Sequence, residues 1–323
     1  MENRIAPIVL FVYNRPWHTQ QTLEALRANK LADKSVLYIF ADGAKPDANN
    51  QNLIKIKEVK EIIEKDKWCK EVSIIYSKTN KGLANSIIEG VTEIINRHGS
   101  AIVLEDDLLT SPYFLNYMNE ALLHYQNKKS VFSISGYNLP PLKMPIPVDY
   151  EYDVFVSLRN SSWGWATWAD RWTQVDWSMT YFETFIKDNN IKKAFDRGGD
   201  DLSMALKQQY SNEIDSWAIR FAFSHFINHA IAIFPRISLV DNIGLDGSGI
   251  HCSKGNSSLK NELNKAVEIS KWLDCLYLDK RIINAMKSAY ATKRMILFKR
   301  IVNKIFIILI KKNIYLYKST VYR

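Results

Sequence analysis

Cysteine is scarce: Cys69, Cys252 and Cys275 are the only three in 323 residues, an odd number with no CxxC pair. That usage gives no sign of a structural zinc site and fits a reducing compartment. No segment supplies the roughly 18–20 consecutive apolar residues of a membrane span; the longest purely apolar run near the C-terminus is Ile305-Phe306-Ile307-Ile308-Leu309-Ile310. The N-terminus enters a strand-like run without signal-peptide architecture, so a cytoplasmic location is expected. A GxGxxG dinucleotide fingerprint and a GxxxxGK[ST] phosphate loop are both missing, as are internal repeats and low-complexity tracts. Acidic residues are absent after Asp279, where twelve Lys and Arg residues follow; against a formal charge of +9, residues 1–279 therefore carry −3. A mildly acidic body with a basic end argues against a nucleic-acid groove and for a tail that meets an anionic surface.

At 47% hydrophobic and 24% charged residues, the chain has the composition of an ordinary folded protein with ample core. Its first half alternates strand and helix signals at βαβ spacing. Strands are expected at Ile8–Tyr13, Val36–Phe40, Val72–Tyr76, Ala101–Leu104 and Val131–Ser135. Helices are expected over His18–Ala28, Leu53–Lys67, Leu83–Asn96 and from Ser111-Pro112 to Gln126. Beyond Gly136 the pattern loosens. A loop with Pro140, Pro141, Pro145 and Pro147 leads into a tryptophan-rich stretch, then a helix over Glu213–Asn228 and a strand at Ile231–Phe234. The reading is an α/β fold with a mostly parallel sheet flanked by helices. The expected division is a first half over residues 1–136, a second over 137–279, and a basic helical tail over 280–323.

The most informative segment is Ala101-Ile102-Val103-Leu104-Glu105-Asp106-Asp107, a buried-strand signal that ends in three carboxylates. Ligands of open α/β sheets lie beyond the carboxyl ends of the strands. Adjacent acids there repel one another unless a cation relieves them, and oxygen ligands suit Mn²⁺ or Mg²⁺. Asn14-Arg15, Asp42 and Asn80 follow the other early strands, so all four elements converge on one rim. An acid can accept from a base or ribose, and an arginine can pair with phosphate. A nucleotide bound by an acidic metal site without glycine loops points to nucleotide-sugar chemistry.

With these residues the chain resembles the GT-A glycosyltransferases, in particular a bacterial family related to eukaryotic N-acetylglucosaminyltransferase I. Glu105-Asp106-Asp107-Leu108 with Ser111-Pro112-Tyr113-Phe114 is similar to its EDD metal motif and the helix that follows. Trp163-Gly164-Trp165-Ala166-Thr167-Trp168 is similar to its GWATW segment, and Asp215-Ser216-Trp217-Ala218 through Asn242-Ile243-Gly244 to His251 is similar to its distal catalytic segment. The likeness spans roughly residues 5–255. It implies a metal-dependent, inverting transferase that moves a sugar from a nucleotide-sugar, a UDP-sugar by preference, to a glycan or lipid-linked acceptor in bacterial surface polysaccharide synthesis. It makes residues 1–136 the nucleotide-sugar-binding half and 137–279 the acceptor and catalytic half, and it assigns metal contact to the Glu105, Asp106 and Asp107 triplet, chiefly Asp107, with Asp106 also near the ribose. Tyr13, Arg15, Asp42 and Asn80 become nucleotide contacts, His251 a contact to diphosphate or metal, Asp215 the general base, and Trp163, Trp165 and Trp168 a wall for the sugar. The departure is at Asp215, whose segment reads Asp-Ser-Trp where the animal enzymes have two acids before the tryptophan. Two other readings stand beside this one: a nucleotidyltransferase that makes nucleotide-sugars, and a non-catalytic protein of the membrane surface.

In the tail, Lys293, Arg300, Lys304, Lys311 and Lys318 fall within about 40° on a helical wheel. Phe298, Val302, Ile305, Phe306 and Leu309 lie mainly opposite, while Ile296, Ile307 and Ile314 intrude on the basic face. The expectation is a helix in the plane of an anionic membrane, peripheral on the inner face of the cytoplasmic membrane.

Overall fold

A computed structural model describes residues 5–246, 259–263 and 268–291. The chain order is β1 (Ile8–Val12), α1 (Pro16–Arg27), β2 (Val36–Ala41), α2 (Asn50–Glu64), β3 (Glu71–Tyr76), α3 (Leu83–His98), β4 (Ser100–Glu105), β5 (Leu108–Thr110), α4 (Phe114–His124), β6 (Val131–Ser135), β7 (Val154–Ser157), β8 (Trp165–Trp168), α5 (Ala169–Trp172), α6 (Phe182–Lys187), α7 (Asn189–Phe195), α8 (Leu202–Tyr210), α9 (Trp217–Ile227), β9 (Ile231–Pro235), β10 (Val240–Asn242) and α10 (Lys280–Ala289). Eight strands form one sheet in the order β3-β2-β1-β4-β8-β6-β9-β7, and β5 and β10 form a separate two-stranded ribbon.

The expected α/β class and mostly parallel sheet are present. β1 lies parallel to β2 on one side and to β4 on the other, and β2 lies parallel to β3. All five β1 residues are buried, as a strand covered on both faces requires. Side-chain alternation separates the faces. Leu10, Val12 and Leu104 join Leu23 and Leu26 of α1 and Phe114 of α4. Val9, Phe11 and Val103 join Ile87, Val91 and Ile94 of α3. The fourth early strand, the β6 strand and the helices between them lie where the hydrophobic periods place them, with ends shifted by a few residues.

The second half differs from its sequence reading. The stretch that loosens after Gly136 supplies β7, β8 and β9 to the same sheet, so both halves share one set of strands. β8 runs antiparallel to β4 and to β6 and stands between them. Trp165 and Trp168 are 1% and 5% exposed. Trp165 stacks on Trp217 at 4.8 Å and on Trp172 at 5.6 Å, and Trp168 donates its indole N–H to the Leu122 carbonyl. Both tryptophans are core, which removes them from a wall that could touch a sugar. Gly164, just before β8, has φ +64°, and a Cβ there would fall 2.8 Å from Val240 and 3.2 Å from Phe114; only glycine fits.

The sequence reading sets a tail apart from residue 280, but α10 packs on the body. Ile282 and Met286 belong to the main core, with Ala289 and Tyr290 packed against it. The body thus extends through α10. The wheel residues from Lys293 onward lie outside the described residues. Among the described residues no helix is long and apolar enough to cross a membrane.

One buried histidine sets a pH dependence. His225 on α9 is 1% exposed; its Nδ1 meets the Phe221 carbonyl at 2.8 Å and its Nε2 the Ser133 hydroxyl at 2.9 Å. A carbonyl only accepts, so Nδ1 carries the proton and the neutral ring is satisfied at both nitrogens. Burial pushes its pKa down to about 4, against a weaker opposing effect of the Phe221 carbonyl. The unfolded state, with a histidine near its ordinary value of about 6.5, then takes up a proton first as pH falls. Stability from this group is complete above about pH 6.5, and about 2 kcal/mol of it is lost by pH 5. Urea unfolding at pH 7.5 and pH 5 measures this: His225→Gln should show a smaller acid destabilisation than the parent, and equal slopes would remove His225 as the cause.

Candidate active site

The strand order reverses at β1, with β2 to one side and β4 to the other, and a crevice at such a point, beyond the carboxyl ends of the strands, is where open α/β sheets bind ligands. Arg15 follows β1, and Asp106 and Asp107 follow β4. Arg15 forks between the two acids: one Nη contacts Asp106 Oδ1, and the other lies 2.9 Å from Asp107 Oδ2. Asp106 and Asp107 are 4% and 5% exposed. Burial opposes the charge on Arg15, but the two carboxylates outweigh it and hold the guanidinium protonated well above its ordinary range. Burial raises Asp106, and the neighbouring Asp107 charge adds to that while Arg15 opposes it. Glu105 is the last residue of β4; burial, then the Asp107 and Asp106 charges, push it up to about 8. The uncharged form of Glu105 is therefore favoured at neutral pH.

The helix after β1 contributes more than the sequence reading gave it. Pro16 opens α1 with its φ already suited to a helix. From Arg15, His18 and Thr22 recur at helical spacing on one face. Thr22 donates its hydroxyl to the Asp106 carbonyl at 2.9 Å. His18 is buried, with Nε2 3.1 Å from Asp246 Oδ2. This spacing is the signal by which both could have been found.

The distal segment arrives through the ribbon. β10 pairs antiparallel with β5, with Asn242 opposite Leu108, and the Ile243 N–H donates to the Asp107 carbonyl at 2.9 Å. Gly244 then lies against the acid–arginine fork: a Cβ there would fall 2.1 Å from Asp107 Oδ2 and 3.0 Å from Arg15 Nη1. Gly244→Ala should displace the Asp107 carboxylate. Because misplacing a reacting group by about 1 Å can cost about 10²-fold, donor turnover should fall by that order, with a stability loss of about 1–3 kcal/mol from overpacking. Parallel rate and thermal-unfolding measurements check this; unchanged turnover would show that the carboxylate tolerates the shift.

Asp42 and Asn80 stand on the same rim, where they bind the protein itself. Asp42 accepts from the N–H groups of Gly43, Lys81 and Gly82, at 2.9 to 3.2 Å. Gly82 is the N-cap of α3, so this carboxylate takes the place of a side-chain cap at the positive end of the helix. Asn80 donates to the Gly43 carbonyl at 2.9 Å. Together they tie the loop after β2 to the loop after β3. Tyr13 is half-buried beyond β1.

Asp215 is on another element. Ser216 caps α9 by accepting from the Ile219 N–H, and Asp215 precedes it, 62% exposed, with Oδ1 3.1 Å from Arg220 Nη2. Trp217, buried on Trp165, fixes the start of α9 behind β8 and β4. Trp163, half-buried, lines a cavity of about 320 Å³ together with Ser216. His251 lies outside the described residues.

Among the described residues no group of three or more His, Cys, Asp and Glu side chains could hold a metal. Two adjacent buried carboxylates are nevertheless what a cation shared with a diphosphate needs, since Mg²⁺-type ions are held by one or two carboxylates and the substrate's phosphates rather than by an all-protein cage. Arg15 engages one oxygen of each carboxylate, Asp106 Oδ1 and Asp107 Oδ2.

Comparison of the sequence with protein-family models and with curated proteins finds no match. Among solved structures, the fold is similar to S. aureus TarS (TM-score 0.40, 10% identity, 73% of this chain and 36% of that one). It is also similar to the mannosyltransferase PcManGT from Pyrobaculum calidifontis, solved with GDP-Man and Mn²⁺ (TM-score 0.37, 10% identity, 68% of this chain and 73% of that one). A third is a UDP-glucose pyrophosphorylase solved with UDP-glucose (TM-score 0.36, 14% identity, 72% of this chain and 91% of that one). Likenesses this distant carry no argument about activity, which rests on the site itself.

Proposed function

We propose that this chain is a metal-dependent, inverting glycosyltransferase of the GT-A kind that uses a nucleotide-sugar, a UDP-sugar by preference. The observation that carries the reading is the buried Asp106–Asp107 pair, forked by Arg15, in the crevice where the strand order reverses. Asp106 and Asp107 would hold Mn²⁺ or Mg²⁺ together with the phosphates of the donor. When bound, such an ion neutralises the departing nucleoside diphosphate. Arg15 balances the acids and offers N–H donors to the phosphates. Asp42 and Asn80 hold the two loops beside which the nucleoside lies, with Tyr13 just after β1, and the resemblance assigns His251 to the diphosphate or the metal. An acceptor hydroxyl oxygen attacks the anomeric carbon as the bond to the diphosphate breaks, and its proton passes to Asp215.

Incubation with a panel of UDP-sugars and Mn²⁺ tests the reading. Slow release of UDP and free sugar supports it. Pyrophosphate exchange into a nucleoside triphosphate would favour a nucleotidyltransferase, and no reaction with any donor would favour a non-catalytic role.

The acceptor class proposed is a glycan or lipid-linked glycan of a bacterial surface polysaccharide, reached from the cytoplasmic face through the basic tail at an anionic membrane. Each cation near such a surface adds about 1 kcal/mol. Because Ile282, Ile283 and Met286 of α10 are buried, the informative truncation ends at Ala291. Removing residues 292–323 should abolish flotation with anionic liposomes while sparing donor hydrolysis. Flotation of the truncated protein would refute a membrane role for the tail. A cut at 279 would instead strip three apolar side chains from the core, at about 1.5–3 kcal/mol each.

A further inference from the structure

We infer that the cavity behind Trp163 is a subsite for one uncharged pyranose ring, the acceptor sugar of the transfer proposed above, on which reading this role depends. Its volume of about 320 Å³ is at the small end of ligand pockets, which suits a single ring. Its Trp163 wall stands at the sheet rim that carries Asp106 and Asp107. Val103 of β4 pairs with Trp165, so the chain running back through Gly164 to Trp163 leaves the sheet at the rim where Glu105 ends β4. Ser216, next to Asp215, lines the cavity from α9.

The walls differ in chemistry. The segment before β8 brings Arg159, Asn160 and Ser162, whereas α8 and α9 present small and aliphatic side chains. A pyranose has the same asymmetry, with a rim of hydroxyls and a face of C–H groups. Arg159 and Asp201 form a two-pronged pair at 2.7 and 2.9 Å, and Arg159 lies over the Tyr290 ring at 3.7 Å from its centroid. The guanidinium is thus fixed on two sides before any ligand arrives. Paired in this way it presents donors beside the acceptors of Asp201, which matches neighbouring hydroxyls that each donate and accept. The pair has no net charge, and an anionic ligand would gain Arg159 only by breaking it. That selects a neutral sugar over a uronic acid or a sugar phosphate. The Trp163 ring is held edge-on against Tyr137 at 4.5 Å, giving the C–H face an aromatic surface. Tyr290 follows α10, so the C-terminal helix closes one side of the cavity.

Saturation-transfer NMR on the full chain with the methyl glycosides of glucose, galactose, mannose and N-acetylglucosamine tests the inference, with methyl glucuronide and the 6-phosphate of methyl glucoside as charged probes. At least one neutral glycoside should bind, and should bind at least tenfold more weakly to Ala205→Trp, which fills the half-buried α8 wall, and to Trp163→Ala, which needs no extra room. Neither charged probe should bind more tightly than the best neutral one. Absence of binding by every neutral glycoside, undiminished binding by the folded variants, or preference for the glucuronide or the 6-phosphate would overturn it. Titration with UDP and Mn²⁺ separates the two claims. UDP binding without glycoside binding sinks the subsite alone, whereas glycoside binding without UDP binding leaves a sugar site and sinks the transferase reading.

Discussion

Asp107→Asn is expected to reduce donor turnover by at least about 10³-fold, because a cation on a phosphate leaving group is worth several kcal/mol and each 1.4 kcal/mol is a factor of ten. The amide preserves the shape and can still accept from Arg15, whose 2.9 Å contact to Asp107 Oδ2 is one prong of the fork. It loses the charge that a divalent ion requires. The other prong, to Asp106, keeps the guanidinium compensated, so the variant should unfold within about 1–2 kcal/mol of the parent. Chelation of the parent should imitate the variant, and added Mn²⁺ should restore the parent only. Full turnover in EDTA would reject the cation role of this pair.

The second large effect is at Asp215. Asp215→Asn should slow sugar transfer by at least about 10²-fold, the usual contribution of a positioned base, and leave UDP affinity within twofold. A purely structural role predicts otherwise: its Arg220 contact is largely exposed, and surface ion pairs contribute only about 0–1 kcal/mol. Transfer and hydrolysis rates of the variant, compared with UDP affinity by calorimetry, separate the possibilities. Equal losses in transfer and UDP binding would move Asp215 to the nucleotide side, and no loss of transfer would exclude it as the base.

The early strands were legible because each is a short run rich in apolar residues and bounded by polar turns, and the Asp106–Asp107 pair was legible because charge directly follows the buried run of β4. Arg15 was legible as a rim residue, but its pairing with both acids depends on β1 and β4 lying side by side, which only the strand order supplies. Asp42 and Asn80 were placed on the correct rim, yet composition cannot distinguish a carboxylate that waits for a ligand from one that caps a neighbouring helix. β8 was hidden for another reason. Four residues are too few to display a period, and its tryptophans look identical in sequence whether they line a groove or fill a core. Gly244 reached the site through a three-residue ribbon joining segments more than 130 residues apart, a contact invisible to any local pattern.

The claim that the crevice between β1 and β4 holds a nucleotide-sugar through a cation on Asp106 and Asp107 is tested most directly by calorimetric titration of the full chain with UDP, in Mn²⁺ and in EDTA, for the parent and Asp107→Asn. The account predicts saturable binding by the parent that is at least tenfold tighter in Mn²⁺, and no such gain for Asp107→Asn. No UDP binding by the parent, or equal affinity in Mn²⁺ and EDTA, would contradict it.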